Sequence, residues 1–395
     1  MEKQELRFAD RFEGITGSAI REILKLLNKP GMISFGGGNP AFSALEEDVI
    51  AILAERVLAR DGKAILQYGA TEGYAPLKEA LCEWLQPLGF RPKPEEVLPI
   101  TGSTQGIDLI AKALINPGDP VLVENPSFLG ALQAFRLYQA KLIPVPTDSG
   151  GLLLDELEQL IREHKPKLLY VIPTFQNPTG ITLAAERRAP LAELAARYGM
   201  LVLEDDPYRD LRYMGDPLPS IKAFDTEGWV AHLSSFSKVI SPGLRCGTLT
   251  CRPDLLRKAV IGKQSGDVHT STLVQAIVAE YLRDGRLPSH VGAICKSYAT
   301  QMRAMQAHLA SFPNGTRYTK PQGGLFLWAQ LPGGLNAMAL LHRAIERNVA
   351  FVPGTHFFCE GGHEDTLRLN FSNSTLAQID AGMATLREII EESSS

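Results

Sequence analysis

The sequence predicts an α/β fold: a large domain with a mostly parallel, seven-stranded sheet covered by helices, followed by a smaller α+β domain. Three observations carry this. Short apolar runs at Glu96–Ile100, Pro120–Glu124, Lys141–Val145, Leu168–Ile172, Leu201–Glu204, Val230–Leu233 and Gly247–Cys251 read as strands. Helical stretches at Ile107–Ile115, Leu153–His164 and Ala184–Tyr198 lie between several of them, and apolar strands alternating with helices describe a parallel sheet buried on both faces. Near residue 285 the rhythm shifts to more segregated strands and helices. In parallel sheets ligands bind beyond the C-terminal ends of the strands, so the polar turns that follow them converge on one edge.

Composition narrows the function classes. The 395 residues are 45% apolar and carry a formal net charge of −4, which suits a large globular core. With no long basic run, nucleic acid and anionic membrane are poor partners. No apolar stretch is long enough to span a bilayer, and the charged start Met1–Arg7 lacks the apolar region of a signal peptide. The scattered cysteines Cys82, Cys246, Cys251, Cys295 and Cys359 predict a reduced, cytoplasmic protein without a disulfide framework, with Cys246 and Cys251 as core thiols. The histidines show no metal-ligand spacing, so no metal is expected.

Taken from the start, Ile20, Ile23, Leu24 and Leu27 recur at helical spacing. Arg21 falls off that stripe, either as a solvated charge or as a reader of an acidic group. Gly36-Gly37-Gly38-Asn39-Pro40 is a plain turn or a place where a ligand approaches closely, and it lacks the dinucleotide-binding spacing. Gln67–Tyr74 is a loop before a helix at Leu77–Leu85, with Tyr68 either packed or offering its hydroxyl. Thr101–Gly106 is a polar turn at the start of the next helix. There, free N–H groups and the hydroxyls of Ser103 and Thr104 favour an anion, although simple N-capping gives the same pattern. Phe128 is a core ring or a flat surface for an aromatic ligand. Asn177 sits in the turn Pro173–Gly180, where it could aim its amide at a ligand. Asp205, at a strand end with Tyr208 three residues on, could pair with a protonated ring nitrogen, or belong to a simple acidic turn. Further helices are expected at Lys263–Leu282, Val291–Phe312, Ala337–Arg347 and Leu376–Glu391, with a frayed tail at Glu392–Ser395. Arg368 stands inside the apolar strand Thr366–Ser372, which is unfavourable unless the arginine is paired or reads an anion.

The stretch Ser234-Ser235-Phe236-Ser237-Lys238, with Arg245 seven residues beyond the lysine, organises the rest. A lysine just past a buried strand sits in a partly dry place, where its ammonium pKa falls and the amine becomes nucleophile and base. Arg245 can fork onto a phosphate and the serines add donors. Together they suit an aldehyde cofactor that carries a phosphate. A surface lysine in a serine-rich loop is the plain alternative.

In their order along the chain, these motifs resemble the fold-type I, pyridoxal-phosphate-dependent aminotransferases of class I/II, the aspartate aminotransferase superfamily. Ser18–Lys25, Gly36–Pro40 and Gln264–Thr270 are most similar to the branch of 2-aminoadipate and kynurenine aminotransferases. The resemblance implies pyridoxal 5'-phosphate covalently bound to Lys238, with Asp205 holding the pyridine nitrogen and Tyr208 and Asn177 bonding the ring oxygen. Ser103, Thr104, Ser235 and Arg245 would hold the phosphate, Phe128 would stack on the ring, and Tyr68 would reach in from a neighbouring subunit of a homodimer. Arg368 would bind the substrate α-carboxylate beside Asn177 and the Gly37–Gly38 backbone, with His269 and Thr270 near the neighbour's site and Arg21 reading a distal carboxylate. The implied substrates are an L-amino acid (glutamate, 2-aminoadipate, aromatic or branched-chain) and a 2-oxo acid, exchanged by a ping-pong mechanism. A β-lyase and a non-catalytic cofactor-binding sensor share the constellation. The implied organisation is an N-terminal segment at 1–44, a large cofactor-binding domain at 45–285 and a small α+β domain at 286–395.

Overall fold

A computed structural model describes residues 6–13, 15 and 31–394. Seven strands form the central sheet in the spatial order Val97–Ile100, Gly247–Thr250, Val230–Ser235, Leu201–Asp205, Leu168–Val171, Pro120–Glu124, Lys141–Val145. Only Gly247–Thr250 runs antiparallel to its neighbours. The inner strands are buried along their whole length except at Pro120, as their apolar runs require of a sheet covered on both faces. One apolar core, with Ile107, Ile110, Leu203 and Leu233, continues into the later part of the chain through Phe326, Leu369 and Met383. A second, with Leu157, Leu169, Leu191 and Val202, lies under Leu154–His164 and Ala185–Tyr198.

This topology brings the polar turns together. The strands ending at Ile100, Glu124, Val171, Asp205 and Ser235 finish at the same edge, as the sequence predicts. The antiparallel strand begins there, since Gly247 pairs with both Ile100 and Ser235, and so delivers Arg245 to that edge. Close packing of the helix behind the turn depends on Gly106, where a Cβ would come within 2.3 Å of the Leu233 side chain.

Residues beyond 316 form a four-stranded antiparallel sheet in the order Arg317–Tyr318, Phe326–Gln330, Thr366–Asn370, Val352–Pro353. The early strand Ile33–Ser34 pairs in parallel with Val349–Ala350. Phe35 continues the contact, donating its N–H to Ala350 (2.7 Å) and accepting from Asn370 (2.8 Å). This tie fixes Gly36–Asn39 over the mouth of the main sheet.

Three local expectations differ from the structure. The polar turn after Ile100 is shorter than expected, because the helix Ser103–Leu114 already includes Ser103, Thr104 and Gly106. The stretch expected as one helix over Lys263–Leu282 is two, Pro253–Gly266 and Thr272–Arg283. Val268 has φ 64 between them, and Ser271 caps the second by accepting from Val274 N. The last helix runs Leu376–Ser394 rather than fraying at Glu392, whose carboxylate pairs with Arg343 at 2.5 Å and Arg347 at 2.7 Å. The N-terminal helix expected around Ile20–Leu27, with Arg21, lies outside the described residues.

Candidate active site

The cleft is built from the strand ends upward. After Ile100 the chain turns at Gly102 (φ 78), a left-handed conformation that favours glycine. A Cβ there would lie 2.5 Å from Arg245 Nη2, so the guanidinium rests directly on the turn. Arg245 donates to Thr101 O (3.2 Å) and to Ser237 Oγ (3.4 Å). Ser235 Oγ accepts from Ser237 N (3.2 Å) and donates to Ser237 Oγ (3.0 Å). The first N–H groups of the Ser103–Leu114 helix have no intrahelical partner, and Ser103 Oγ is buried without one. Ser103, Thr104, Ser235 and Arg245 therefore frame a cup with the electrostatics of an anion site.

At the end of the strand Leu201–Asp205, Asp205 is buried. Its Oδ2 accepts from Tyr170 Oη at 2.8 Å, while its Oδ1 has no partner. Burial pushes this carboxyl up to about 6, and the Tyr170 hydrogen bond works against that rise. Asn177, also buried, donates to Tyr208 Oη (3.4 Å) and accepts from Arg368 Nη1 (2.8 Å). Burial raises the Tyr208 phenol above its ordinary range, so it stays protonated at neutral pH.

Lys238 follows the strand Val230–Ser235 by one 3₁₀ turn and donates from Nζ to Gly38 O at 2.7 Å. Burial, then the positive charges of Arg368 and Arg245, push its ammonium down to about 8. Roughly a tenth is thus free amine at pH 7, far more than for an ordinary lysine.

Arg368 is only 4% exposed. Its Nη2 donates to Gly36 O (2.8 Å), and its guanidinium lies over the rings of Phe326 (4.3 Å) and Phe357 (5.1 Å). Its Nε is buried without a partner. Burial lowers its pKa to about 10, so it remains a cation.

One expected residue, Tyr68, stands apart in this chain. Tyr68 is 81% exposed and does not join the cleft; its ring stands edge-on to His269 with 6.0 Å between centroids, Gly69 N donates to His269 Nε2 at 3.1 Å, and Thr270 is buried against Lys263 and Thr101. Phe128 is partly buried at the start of the helix Leu129–Leu137, its ring against Gly130, where a Cβ would approach within 2.6 Å. Sequence reasoning missed Tyr170, along with the rings of Phe326 and Phe357 around Arg368. The signal for Tyr170 is a hydroxyl-bearing ring in an otherwise aliphatic strand adjoining the one that ends at Asp205.

Three buried polar atoms without a hydrogen-bond partner among the described residues test whether a cofactor fits. Ser103 Oγ suits a phosphate, Asp205 Oδ1 a protonated ring nitrogen and Arg368 Nε a carboxylate. The donor set fits a phosphorylated pyridine aldehyde bearing a substrate amino acid. Among the described residues no helix is long and apolar enough to cross a membrane.

Comparison with known proteins gives the same answer. Residues 30–386 match the family model for aminotransferase class I and II. The chain is 43% identical to a 2-aminoadipate transaminase of Thermus thermophilus, over 94% of this chain and 93% of that one. It is 40% identical to aromatic-amino-acid aminotransferase 1 of Thermococcus litoralis, over 98% and 95% of the two chains. In structure it is similar to a kynurenine aminotransferase of Pyrococcus horikoshii solved with PMP, with a TM-score of 0.94 at 38% identity, covering 98% of each chain. The chain belongs to the class I and II aminotransferases, fold type I, and is a transaminase that uses pyridoxal 5'-phosphate to exchange amino groups between amino acids and 2-oxo acids.

Proposed function

We propose that the cleft around Lys238 is the catalytic site and that each residue gathered there has a distinct role. Lys238 carries the cofactor covalently. Asp205 Oδ1 takes the ring N–H, Tyr208 and Asn177 bond the ring oxygen, and Phe128 covers a ring face. Ser103, Thr104, Ser235 and Arg245 take the phosphate, joined by Tyr68 of a second copy. A shared site of that kind accounts for the 81% exposure of Tyr68 and implies a homodimer. When bound, the cofactor supplies an electron sink for the charge left when the substrate Cα–H bond breaks. Lys238 Nζ, freed by the substrate amine, would take the proton from the substrate Cα and deliver it to the former aldehyde carbon of the cofactor, a task matched by an amine held at about 8. Arg368 binds the α-carboxylate through its unpartnered Nε edge and is oriented by Asn177 and Gly36, which hold its other nitrogens.

The observation that carries this reading is the pairing of a depressed lysine amine with a buried arginine whose Nε has no hydrogen-bond partner among the described residues. Borohydride reduction of the holoenzyme followed by peptide mapping tests it. A cofactor adduct on Lys238 is expected, and an adduct on another lysine would overturn it.

We propose acidic and aromatic amino acids as substrates, on the strength of the aminoadipate and aromatic-amino-acid relatives. Arg21, outside the described residues, is proposed to read a distal carboxylate. Arg21→Ala is then expected to raise KM for 2-aminoadipate and leave that for leucine unchanged. Equal change for both would reject the role.

A further inference from the structure

Behind the phosphate cup lies a fully buried ammonium that the chemistry above does not use. Lys263 Nζ donates to Gln105 Oε1 (2.7 Å), Asp267 Oδ2 (2.9 Å), Asp267 Oδ1 (3.0 Å) and Thr270 Oγ1 (2.9 Å). Its bonding capacity is filled by the protein itself. Asp267 Oδ2 also accepts from Gln105 Nε2 (2.7 Å) and from Thr101 Oγ1 (2.9 Å). Gln105 Oε1 in turn accepts from Thr101 N (2.8 Å). Both ends of the segment Thr101–Gln105 are therefore tied to one ion pair, a buried ammonium and a half-buried carboxylate, on the helix Pro253–Gly266 and its end.

The placement gives the pair leverage. Thr101 O is the atom on which Arg245 rests, and Gly102 is the residue against which its guanidinium packs. Ser103 and Thr104, with their free N–H groups, lie between the two tied ends. Thr270 also joins the tie to the Tyr68 segment, because Gln275 donates to Thr270 O (2.6 Å) and accepts from Tyr74 N (2.8 Å). A buried ion pair adds little net stability over an apolar pair of the same volume, because desolvation offsets its attraction. Its use here lies in the fixed, multi-point geometry it imposes on an otherwise glycine-containing turn.

We propose that Lys263 and Asp267 are positioning residues for the phosphate-binding turn, holding Thr101–Gln105 so that the Ser103 and Thr104 donors and Arg245 converge on the phosphate of the cofactor. The inference rests on the reading of that cup as the phosphate site. The two residues touch neither cofactor nor substrate and act through the turn alone.

The test compares pyridoxal 5'-phosphate with pyridoxal, which lacks the phosphate, in titrations of the apoprotein of the full chain. In Lys263→Met the affinity for pyridoxal 5'-phosphate is expected to fall roughly tenfold to a hundredfold, the range that outer partners of ion-binding residues carry at metal sites. Pyridoxal affinity should stay within about twofold, since pyridoxal makes no demand on the turn. A general loss of structure would weaken both ligands alike and would overturn the proposal, as would unchanged affinity for both. Two further variants guard against misfolding of the single one. Thr101→Val deletes the hydroxyl's bonds to Asp267 (2.9 Å) and Thr270 Oγ1 (3.2 Å), leaves Gln105 tied to the pair, and should show the same phosphate-selective loss in smaller measure. Lys263→Met with Asp267→Leu leaves no unpaired buried charge and should fold while keeping the phosphate-selective defect. A wild-type apoprotein with no preference for the phosphorylated ligand would overturn the phosphate-site reading and this inference together, whereas a preference kept in all three variants would overturn the inference alone.

Discussion

Replacing Tyr170 by phenylalanine isolates a single hydrogen bond. The ring is buried and packs edge-on against Phe135 at 5.8 Å, so phenylalanine keeps the packing and removes only the hydroxyl. That hydroxyl donates to Asp205 Oδ2 at 2.8 Å and opposes the effect of burial on the carboxyl. A hydrogen bond to a charged group contributes about 1.5–3 kcal/mol, which corresponds to about one to two pH units. Asp205, at about 6 with the bond, is expected to move up by that amount without it. The sign follows from the anion losing its donor: the carboxyl holds its proton to higher pH and ionises later. In the holoenzyme the ring N–H also favours the carboxylate, so the acidic limb of the rate of the amino-acid half-reaction should shift upward in Tyr170→Phe by up to that amount, while the rate well above the limb nearly recovers. Single-turnover rates across pH for both proteins measure this. Superimposable profiles would refute the claim that Tyr170 sets the charge of Asp205, and a uniform loss at every pH would point to misplacement instead.

Other perturbations follow from the same geometry. Arg368→Lys keeps the charge but cannot fork, so KM should rise for acidic and aromatic substrates alike, by about 1.5–3 kcal/mol or roughly ten- to two-hundredfold. A rise confined to acidic substrates would mean that Arg368 reads the side chain rather than the α-carboxylate. Glu124 is fully buried at the end of its strand and accepts from Ile172 N at 2.8 Å and Gln176 Nε2 at 3.4 Å, and burial lifts its carboxyl from 4.5 to about 8. The folded state keeps a proton that the unfolded chain releases above about 4.5, so stability falls as pH rises from about 4.5 to about 8. Glu124→Gln removes that dependence, and thermal melts should show it gaining on the wild type as pH rises from 5 to about 9. A gap that is constant with pH would contradict the assignment.

Much of this site is legible in the sequence because its parts are punctuated. Lys238, Asp205 and Asn177 stand where apolar strand runs end in polar turns, and the parallel topology fixes where those turns meet. Arg368 is conspicuous as a charge in an apolar strand. The residues that were missed act through pairings distant in sequence. Tyr170 reaches Asp205 across adjacent strands, and Lys263 meets Gln105 across 158 positions, so neither bond leaves a local pattern. The break between Pro253–Gly266 and Thr272–Arg283 is hidden for a related reason. Asp267 leaves the helix to bond the turn at Thr101, a tertiary contact that outweighs a continuous helical period. The C-terminal extension reflects the same limit, since Glu392 is held by Arg343 and Arg347 of another helix and its flank.

The most direct test of the assignment of Lys238 as the working base is the visible absorption spectrum of wild type and Lys238→Ala, both loaded with pyridoxal 5'-phosphate, recorded before and after L-glutamate is added without a 2-oxo acid. The wild type should show the band of lysine-bound cofactor and lose it to the shorter-wavelength band of the aminated form within turnover time. Lys238→Ala should lack the first band and gain the second, if at all, orders of magnitude more slowly, since general acid–base catalysis alone contributes about 10²–10⁴-fold. Amination of the cofactor by Lys238→Ala at the wild-type rate would contradict the account.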